Sequence, residues 1–170
     1  MHFVGLDNVS RAKPEVGSDQ IAWLKKDLAR FPKTAPIVVF THRPLFDLKP
    51  EWEWFTSDGD DVMNVLAPYQ NVTVLYGHIH RHHETEIGHS HHFAARSLIF
   101  AFPDPATAED KKPIAFDKDR PFRNLGIRVV SEKGLRAAPP NAVGVEDVEL
   151  TLREFSGANG IQQLLRTPQV

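Results

Sequence analysis

Short apolar runs alternate with amphipathic stretches over the first half of the chain. Residues 1–6, 36–41 and 72–76 form runs rich in apolar and β-branched side chains, which is typical of strands in a parallel sheet. The intervening stretches, 18–31 and 58–69, repeat apolar residues three and four positions apart, as the buried side of a helix does. The pattern therefore predicts a β-α-β-α-β unit with a right-handed crossover.

The second half of the chain has a different pattern. Residues 97–102 are predicted to form a further strand, and residues 124–130 and 145–155 alternate apolar and polar positions, which predicts antiparallel strands. Residues 156–170 are weakly patterned and are expected to form a loosely ordered tail. The predicted fold class is α/β, a partial α/β sandwich in a single domain over residues 1–155.

Aromatic residues suggest where this domain is packed. Trp23 lies within the first amphipathic stretch and is expected to anchor it in the core. Trp52, Trp54 and Phe55 stand among acidic neighbours and predict an ordered loop over the strand ends. That loop either forms a wall for a substrate or only packs against the core, and the sequence leaves both interpretations open.

Composition excludes several classes of function. The chain has 170 residues, a formal net charge of −2 and no cysteine, so disulfides and thiolate metal sites are excluded. With a pI near 6.5, it is not expected to bind nucleic acid or an anionic membrane. No apolar run approaches the roughly 20 residues of a membrane span, and no signal peptide is recognisable. The localisation is unknown, with the cytoplasm as the default expectation.

Histidines follow two of the predicted strands. The run 72–76 leads directly into Gly77, His78, Ile79 and His80, and the run 36–41 leads into His42. Open α/β sheets bind ligands at the carboxyl ends of their strands. A neutral imidazole offers a lone pair to a metal, and three imidazoles can hold a divalent cation whose bound water becomes a hydroxide nucleophile near neutral pH. His42, His78 and His80 are therefore predicted as metal ligands.

Less specific interpretations apply to the neighbouring side chains. The histidine-rich tract 82–92 could bind a further metal ion, but solvated loop histidines are the more common case. Arg43, Arg81 and Arg96 could each pair with phosphate oxygens, and each could equally form a surface salt bridge. Asp7 and Asn8 are interpreted as an Asx turn that closes the first strand rather than as metal ligands.

The order of these motifs resembles that of the calcineurin-like metallophosphoesterases. Their final two motif blocks, a lone His after an apolar strand and then Gly-His-x-His, match His42 and residues 77–80 here. The resemblance implies that His42 and His78 ligate one metal ion and His80 the other. It also implies a hydroxide shared by two divalent ions, Mn, Fe or Zn, that attacks phosphorus in a phosphoester substrate.

The chain departs from that family in one large respect. It contains no Asp-x-His, no Gly-Asp-x-x-Asp and no Gly-Asn-His motif, which in the family supply the remaining ligands and a His that assists catalysis. The expectation is a C-terminal half of the domain, with the N-terminal half of the fold and the catalytic residues missing. Such a half would bind at most one metal ion, lack full activity, and self-associate or need a complementing N-terminal fragment.

Two other classes of function remain open. The histidines could hold one divalent metal without catalysis, for storage or structure. Alternatively, they could be loop residues on an α/β scaffold whose role is interaction with a partner. The choice among a monoester, a diester, a nucleotide and a phosphoprotein substrate is not encoded in any recognisable motif.

Overall fold

A computed structural model describes residues 1–132 and 143–149 of the chain. The first part contains β1 (His2–Gly5), α1 (Ser18–Leu28), β2 (Pro36–Phe40), a 3₁₀ turn (Pro50–Trp52), α2 (Gly59–Leu66) and β3 (Asn71–Tyr76). The second part contains β4 (His83–Ile87), β5 (Ser90–Ala94), β6 (Gly126–Glu132) and β7 (Val143–Glu149). Neither α1 nor α2, the helices of the described residues, has the length and apolar character needed to cross a lipid bilayer.

Five of the strands form one mixed sheet in the order β1-β2-β3-β5-β4. The pairs β1–β2, β2–β3 and β3–β5 are parallel, whereas β4 and β5 are antiparallel. β6 and β7 form a separate antiparallel pair. The fold is α/β, and the predicted β-α-β-α-β unit with its parallel strands is confirmed.

Both helices pack on one face of this sheet. Their amphipathic spacing places Leu24 and Leu28 of α1 and Val62 and Leu66 of α2 in a fully buried cluster. The sheet contributes alternate residues to the same cluster, because successive side chains of a strand point to opposite faces. Those strand residues are Val4, Ile37, Val39, Val72 and Val74. The cluster thus fixes the register of the three parallel strands whose carboxyl ends carry the candidate site.

The edge strand β1 leaves apolar surface in contact with solvent. Phe3 is 61% exposed and Phe40 is 44% exposed, and their rings stack with centroids 6.2 Å apart. Trp23 is 48% exposed, so its predicted role as a core anchor is wrong. Leu24, one residue along the helix, occupies the buried position instead.

The predicted strand over residues 97–102 is wrong. This apolar run has no strand partner among the described residues, and Leu98 and Ile99 are 61% and 80% exposed. Phe100 and Phe102 instead pack against a second cluster that contains Trp52 and Trp54. The position next to β3 is occupied by β5, and β4 forms the edge of the sheet beyond it. The sequence predicted both strands as part of a histidine-rich loop.

That missed β4–β5 hairpin has a polar sequence. Its residues alternate between partly buried and exposed along His83–Ile87, and Gly88 takes a φ of 61° in the turn. A positive φ at the first central position suits a two-residue hairpin turn and favours glycine there. Histidine and glutamate conceal the alternation, because neither counts as apolar in a hydropathy pattern.

The last pair of strands agrees with the predicted antiparallel pairing but not with its bounds. β6 covers Gly126–Glu132 and β7 covers Val143–Glu149. The remainder of the predicted 145–155 strand and the predicted tail, 156–170, lie outside the described residues.

Candidate metal centre

The histidines lie where two parallel strands end side by side. β2 ends at Phe40 and β3 at Tyr76, and His42 and His78 each follow two residues later. The backbone remains tied beyond the strands, since the N–H of Thr41 donates to Leu75 O at 3.0 Å and the N–H of Gly77 donates to His42 O at 3.0 Å. The register that the core imposes on β2 and β3 thus carries through to the two histidines.

The imidazoles of His42 and His78 are in contact. His42 Nε2 lies 3.1 Å from His78 Nδ1, and the ring centroids are 5.0 Å apart at an interplanar angle of 67°. Two nitrogens bound to one cation at about 2.0–2.1 Å, with ordinary bond angles, are themselves separated by about 3.0–3.4 Å. The pair therefore has the spacing of two ligands of a single divalent ion.

A tight turn sets the direction of the second histidine motif. His78 and His80 have φ values of 66° and 52°, a left-handed conformation that costs a non-glycine residue energy. Ile79, between them, is 1% exposed and packs in the cluster of Trp52 and Trp54. Burial of Ile79 holds the turn, so that the two flanking imidazoles leave it in directions that a regular strand would not allow.

His80 occupies a different environment from the contacting pair. Its Nδ1 lies 2.9 Å from Phe100 O, and its ring packs on Phe100 and Phe102 with centroids 4.4 and 5.1 Å away. A carbonyl only accepts, so Nδ1 donates and Nε2 of the neutral ring keeps its lone pair. The positive charge of a protonated His80 is one of the smaller causes that lower the pKa of His42.

The structure therefore brings two of the three predicted ligands into direct contact. Within residues 1–132 and 143–149, no group of three or more His, Cys, Asp or Glu side chains is placed to hold a metal ion. The histidine pair fits a single ion, whereas a complete two-metal ligand set does not fit these residues. The proposed roles of His42, His78 and His80 as ligands stay predictions.

Burial keeps the paired imidazoles neutral. It is the largest cause that lowers the pKa of His78 to about 4, followed by the charges of Arg43, Lys111 and His42. Burial also lowers the pKa of His42, with smaller contributions from Arg43 and His80. At neutral pH both rings are unprotonated and retain the lone pair that a metal requires.

Arg43 adjoins the pair and limits its tautomers. Its Nη1 donates to Glu53 O at 2.7 Å and lies 3.3 Å from His78 Nε2. A guanidinium can only donate, so His78 Nε2 accepts and the proton of the neutral ring is on Nδ1. A cation bound at Nδ1 requires the opposite tautomer. Metal binding between the two rings therefore requires Arg43 to leave His78.

Asn8 positions the backbone that carries His42, a role that was not predicted from the sequence. It is fully buried, and its Oδ1 accepts from the backbone N–H groups of His42 and Arg43 at 3.1 and 3.2 Å. Its Nδ2 donates to Arg43 O at 3.1 Å and to Thr56 Oγ1 at 2.8 Å. The side chain uses its full hydrogen-bonding capacity to fix the backbone that carries His42. The signal available in the sequence was its position just after β1, at the same edge of the sheet as His42.

Asp7 behaves as the sequence predicts. Its Oδ1 accepts from the N–H groups of Val9 and Ser10 at 2.9 and 3.0 Å, which closes an Asx turn. The loop of residues 47–56 is ordered, and Trp52 and Trp54 are 4% and 0% exposed. Of its two open interpretations, packing is the one that this burial supports.

Several other histidines lie in or beside the β4–β5 hairpin. His83 Nδ1 lies 2.7 Å from Tyr76 Oη, and His92 is fully buried. His82 pairs with Glu84 at 3.1 Å on the exposed side of the β4–β5 hairpin. Most of the tract 82–92 thus belongs to β4 and β5, whereas His82 and His89 are exposed outside these strands.

Comparison with known proteins gives a limited result. No family model matches the chain, and no curated protein matches it. Among solved structures, a dimetal phosphatase from Danio rerio is similar with 22% sequence identity and a TM-score of 0.41. The match covers 47% of this chain and 26% of the phosphatase, so the chain spans about a quarter of that protein's length. This similarity assigns neither a family nor an activity to the chain.

Proposed function

We propose that this chain supplies histidine ligands to a metal-dependent phosphoester hydrolase of the two-metal type. The proposal rests on the order of the His42 and Gly-His-x-His motifs, together with the 3.1 Å separation of His42 Nε2 and His78 Nδ1. That separation is the observation that carries it, since it joins side chains 36 residues apart in the chain at a spacing suited to one cation.

The proposal assigns roles to this chain's own side chains. His42 and His78 would hold one divalent ion through His42 Nε2 and His78 Nδ1, and His80 would contribute its Nε2 to a second ion. Arg43 and Lys111 place positive charge beside the pair, where they can bind phosphoryl oxygens as charged hydrogen-bond donors. The ions, when bound, supply a hydroxide nucleophile and neutralise charge on the phosphoryl group.

The described residues do not complete this chemistry. They place no third His, Cys, Asp or Glu ligand with the histidine pair, whereas the calcineurin-like metallophosphoesterases, which the motifs resemble, also use acidic ligands. We therefore expect the Asp-x-His and Gly-Asp-x-x-Asp motifs to come from polypeptide outside these 170 residues. The chain by itself is then inactive and binds at most one ion.

A second candidate function rests on the same contact between His42 and His78. The two imidazoles would contribute ligands to a single ion that is stored or that stabilises the fold. In that case the ion has structural importance only, and no added polypeptide produces turnover.

Metal titration tests the proposed ligands. Zn²⁺ or Mn²⁺ is titrated into the metal-free 170-residue chain by calorimetry, and we expect one ion per chain. His42→Ala and His78→Ala should each weaken binding by at least about 100-fold, because each removes one of two ligands and abolishes chelation. His89→Ala removes an exposed histidine of the β4–β5 turn and serves as the matched control. Unchanged affinity in both alanine variants would reject the metal centre.

Turnover separates the two functions. The metal-loaded chain is assayed with an aryl phosphate, alone and together with a polypeptide that carries the Asp-x-His and Gly-Asp-x-x-Asp motifs. Hydrolysis that requires both polypeptides and is lost in His78→Ala supports the hydrolase. One bound ion without hydrolysis under either condition supports the binding function.

A further inference from the structure

A cationic cavity adjoins the candidate metal centre on the side of His80. It has a volume of about 270 Å³, and its lining includes His80, Arg81, His82, Arg96 and Asn124. Its walls come from the turn after β3, from the irregular segment after β5 and from Asn124. We refer to it as the Arg81–Arg96 cavity. The metal chemistry proposed above uses none of these side chains except His80.

The charges of the lining are of one sign. Arg81 and Arg96 are among the residues that line the cavity, and no Asp or Glu residue is. Asp104 Oδ2 lies 3.5 Å from Arg81 Nη2, but this pair is half exposed at the carboxylate and its effect is screened by solvent. Guanidinium groups bind oxyanions through charge-assisted, bidentate hydrogen bonds, so an oxyanion is the ligand that suits these two side chains.

The position of Arg81 is set by the backbone around the cavity. Its Nη1 donates to Phe102 O at 3.3 Å, and the ring of Phe102 packs against His80. The segment that provides this carbonyl is fixed in turn, because the N–H of Ile114 donates to Ala101 O at 2.8 Å. Arg81 is therefore held at the wall by the same segment that positions His80.

The remaining lining defines the chemistry of the ligand. The Asn124 amide offers both a donor and an acceptor, and Phe102 and Ile114 add an apolar side. The volume exceeds that of a single phosphate group, so there is room for an uncharged part attached to it. A phosphate group joined to a compact organic moiety matches this combination of cationic, polar and apolar walls.

We propose that the Arg81–Arg96 cavity binds a phosphate group of the substrate that is distinct from the phosphoryl group at the His42–His78 pair. This rests on the proposed function, since His80 belongs to both sites. It restricts the substrate class to compounds that carry two phosphate groups.

Phosphate binding in the absence of metal tests the cavity separately from the metal centre. Inorganic phosphate is titrated into the EDTA-treated 170-residue chain and followed by calorimetry. Arg81→Gln and Arg96→Gln should each weaken binding by at least about tenfold through loss of a charge-assisted contact. Arg30→Gln removes an exposed arginine at the opposite edge of the sheet, beside Asp27, and should leave binding unchanged. Acetate should bind more weakly than phosphate.

A measurement on the unmodified chain tests the proposal even if the variants do not fold. In ¹⁵N NMR spectra, phosphate should shift the Asn124 side-chain amide and the Arg81 and Arg96 Nε–H signals, without moving the Arg30 signal. Absence of these shifts overturns the cavity proposal. Binding that appears only with Zn²⁺ present and disappears in His78→Ala places phosphate on the metal, which also overturns it but supports the proposed function. Metal-free binding in a chain that takes up no metal supports the cavity and rejects the metal centre.

Discussion

Two groups of histidines in this molecule have similar electrostatics and different surroundings. His42 and His78 lie just beyond the ends of β2 and β3, whereas His83 and His92 lie within β4 and β5. The antiparallel register pairs His92 with Thr85, so His83 and His92 are diagonal neighbours on one face of the sheet. In both groups burial is the largest cause of a lowered histidine pKa.

The two groups differ in the contacts that their imidazole nitrogens make. In the strand-end pair, two nitrogens face each other at 3.1 Å. In the strand pair, His92 is 0% exposed and neither of its nitrogens has a hydrogen-bond partner within the described part of the chain, while the ring of Phe46 contacts both imidazoles. A histidine thus contacts another imidazole at a strand end and behaves as a core residue inside the sheet. Position relative to the strand end decides which role is available.

The largest effect is expected from Asn8→Ala, which disturbs the strand-end pair without changing a histidine. The backbone N–H groups of His42 and Arg43 lose their acceptor in a buried site. The free energy of unfolding should fall by about 3 kcal/mol, because buried donors without partners carry the desolvation cost. Urea denaturation measures it, with the exposed Asn64→Ala in α2 as control. A loss no greater than that of the control would show that Asn8 does not hold the His42 backbone.

Metal ions should stabilise the chain through one histidine group only. At a Zn²⁺ concentration 100 times the dissociation constant, ligand linkage predicts a gain of about 2.7 kcal/mol in unfolding free energy at pH 7.5. His92→Leu should retain this gain, and His42→Ala should lose it. Thermal denaturation with and without Zn²⁺ makes the measurement. A gain that disappears in His92→Leu would mean that the ion binds within the sheet instead.

Acid should destabilise the protein through the buried histidine. Burial lowers the pKa of His92 to about 4, below the value near 6.5 of an unfolded histidine. The unfolded chain therefore binds the proton more strongly, and the stabilisation present above pH 6.5 is lost as the pH falls toward 4. Between pH 7.5 and 5.0 the contribution of His92 amounts to about 2 kcal/mol.

The variant His92→Leu isolates that contribution, because His78 has a similarly low pKa and adds its own acid sensitivity. The fall in unfolding free energy from pH 7.5 to 5.0 should be smaller in the variant by the amount assigned to His92. Urea titrations of both proteins at the two pH values measure it, and His89→Ala should follow the unmodified chain. Equal pH dependence in the variant and the unmodified chain would contradict the burial of His92.

The strand-end pair could be predicted from sequence, because two strong local signals converge on it. Apolar runs identify β2 and β3 as parallel neighbours, and strands in register bring the residues after them together. His42 and His78 meet for that reason. The position of His80 depends on the left-handed turn around Ile79, for which a histidine sequence gives no signal.

The strand histidines could not be predicted, because their strands lack an apolar pattern. Residues 83–87 alternate partly buried and exposed positions, but the partly buried ones include a histidine and a threonine, and His83 contacts Phe46 and Tyr76 only in the folded structure. The contrary error occurred at residues 97–102, where an apolar sequence is irregular and joins no strand of the described sheet. Asn8 likewise depends on tertiary contacts with residues 34 to 48 positions away.

Arg43 provides a way to sharpen the strand-end site. Its guanidinium lies 3.3 Å from His78 Nε2 and contributes to lowering the pKa of His78. Arg43→Gln removes a positive charge beside the proposed cation. It also allows the neutral His78 tautomer with its proton on Nε2, which leaves the Nδ1 lone pair available to the metal. Zn²⁺ should then bind about tenfold more tightly, equivalent to about 1.4 kcal/mol. Calorimetric titration measures the change, with Arg30→Gln as control, and an unchanged or weaker affinity would show that Arg43 does not oppose the metal.

The smallest effect concerns the single hydrogen bond that partners a strand histidine with a tyrosine. Burial raises the pKa of Tyr76, so its hydroxyl stays protonated and donates to His83 Nδ1, 2.7 Å away. Tyr76→Phe removes the donor and should lower the free energy of unfolding by about 1 kcal/mol at pH 7.5, the usual net value of one hydrogen bond. Tyr69→Phe, in a residue of the helix-packed cluster that has no hydroxyl contact of this kind among the described residues, is the matched control. Because His83 and His92 are not among the proposed ligands, Zn²⁺ affinity should be the same in Tyr76→Phe as in the unmodified chain. A reduced affinity would show that His83 takes part in metal binding.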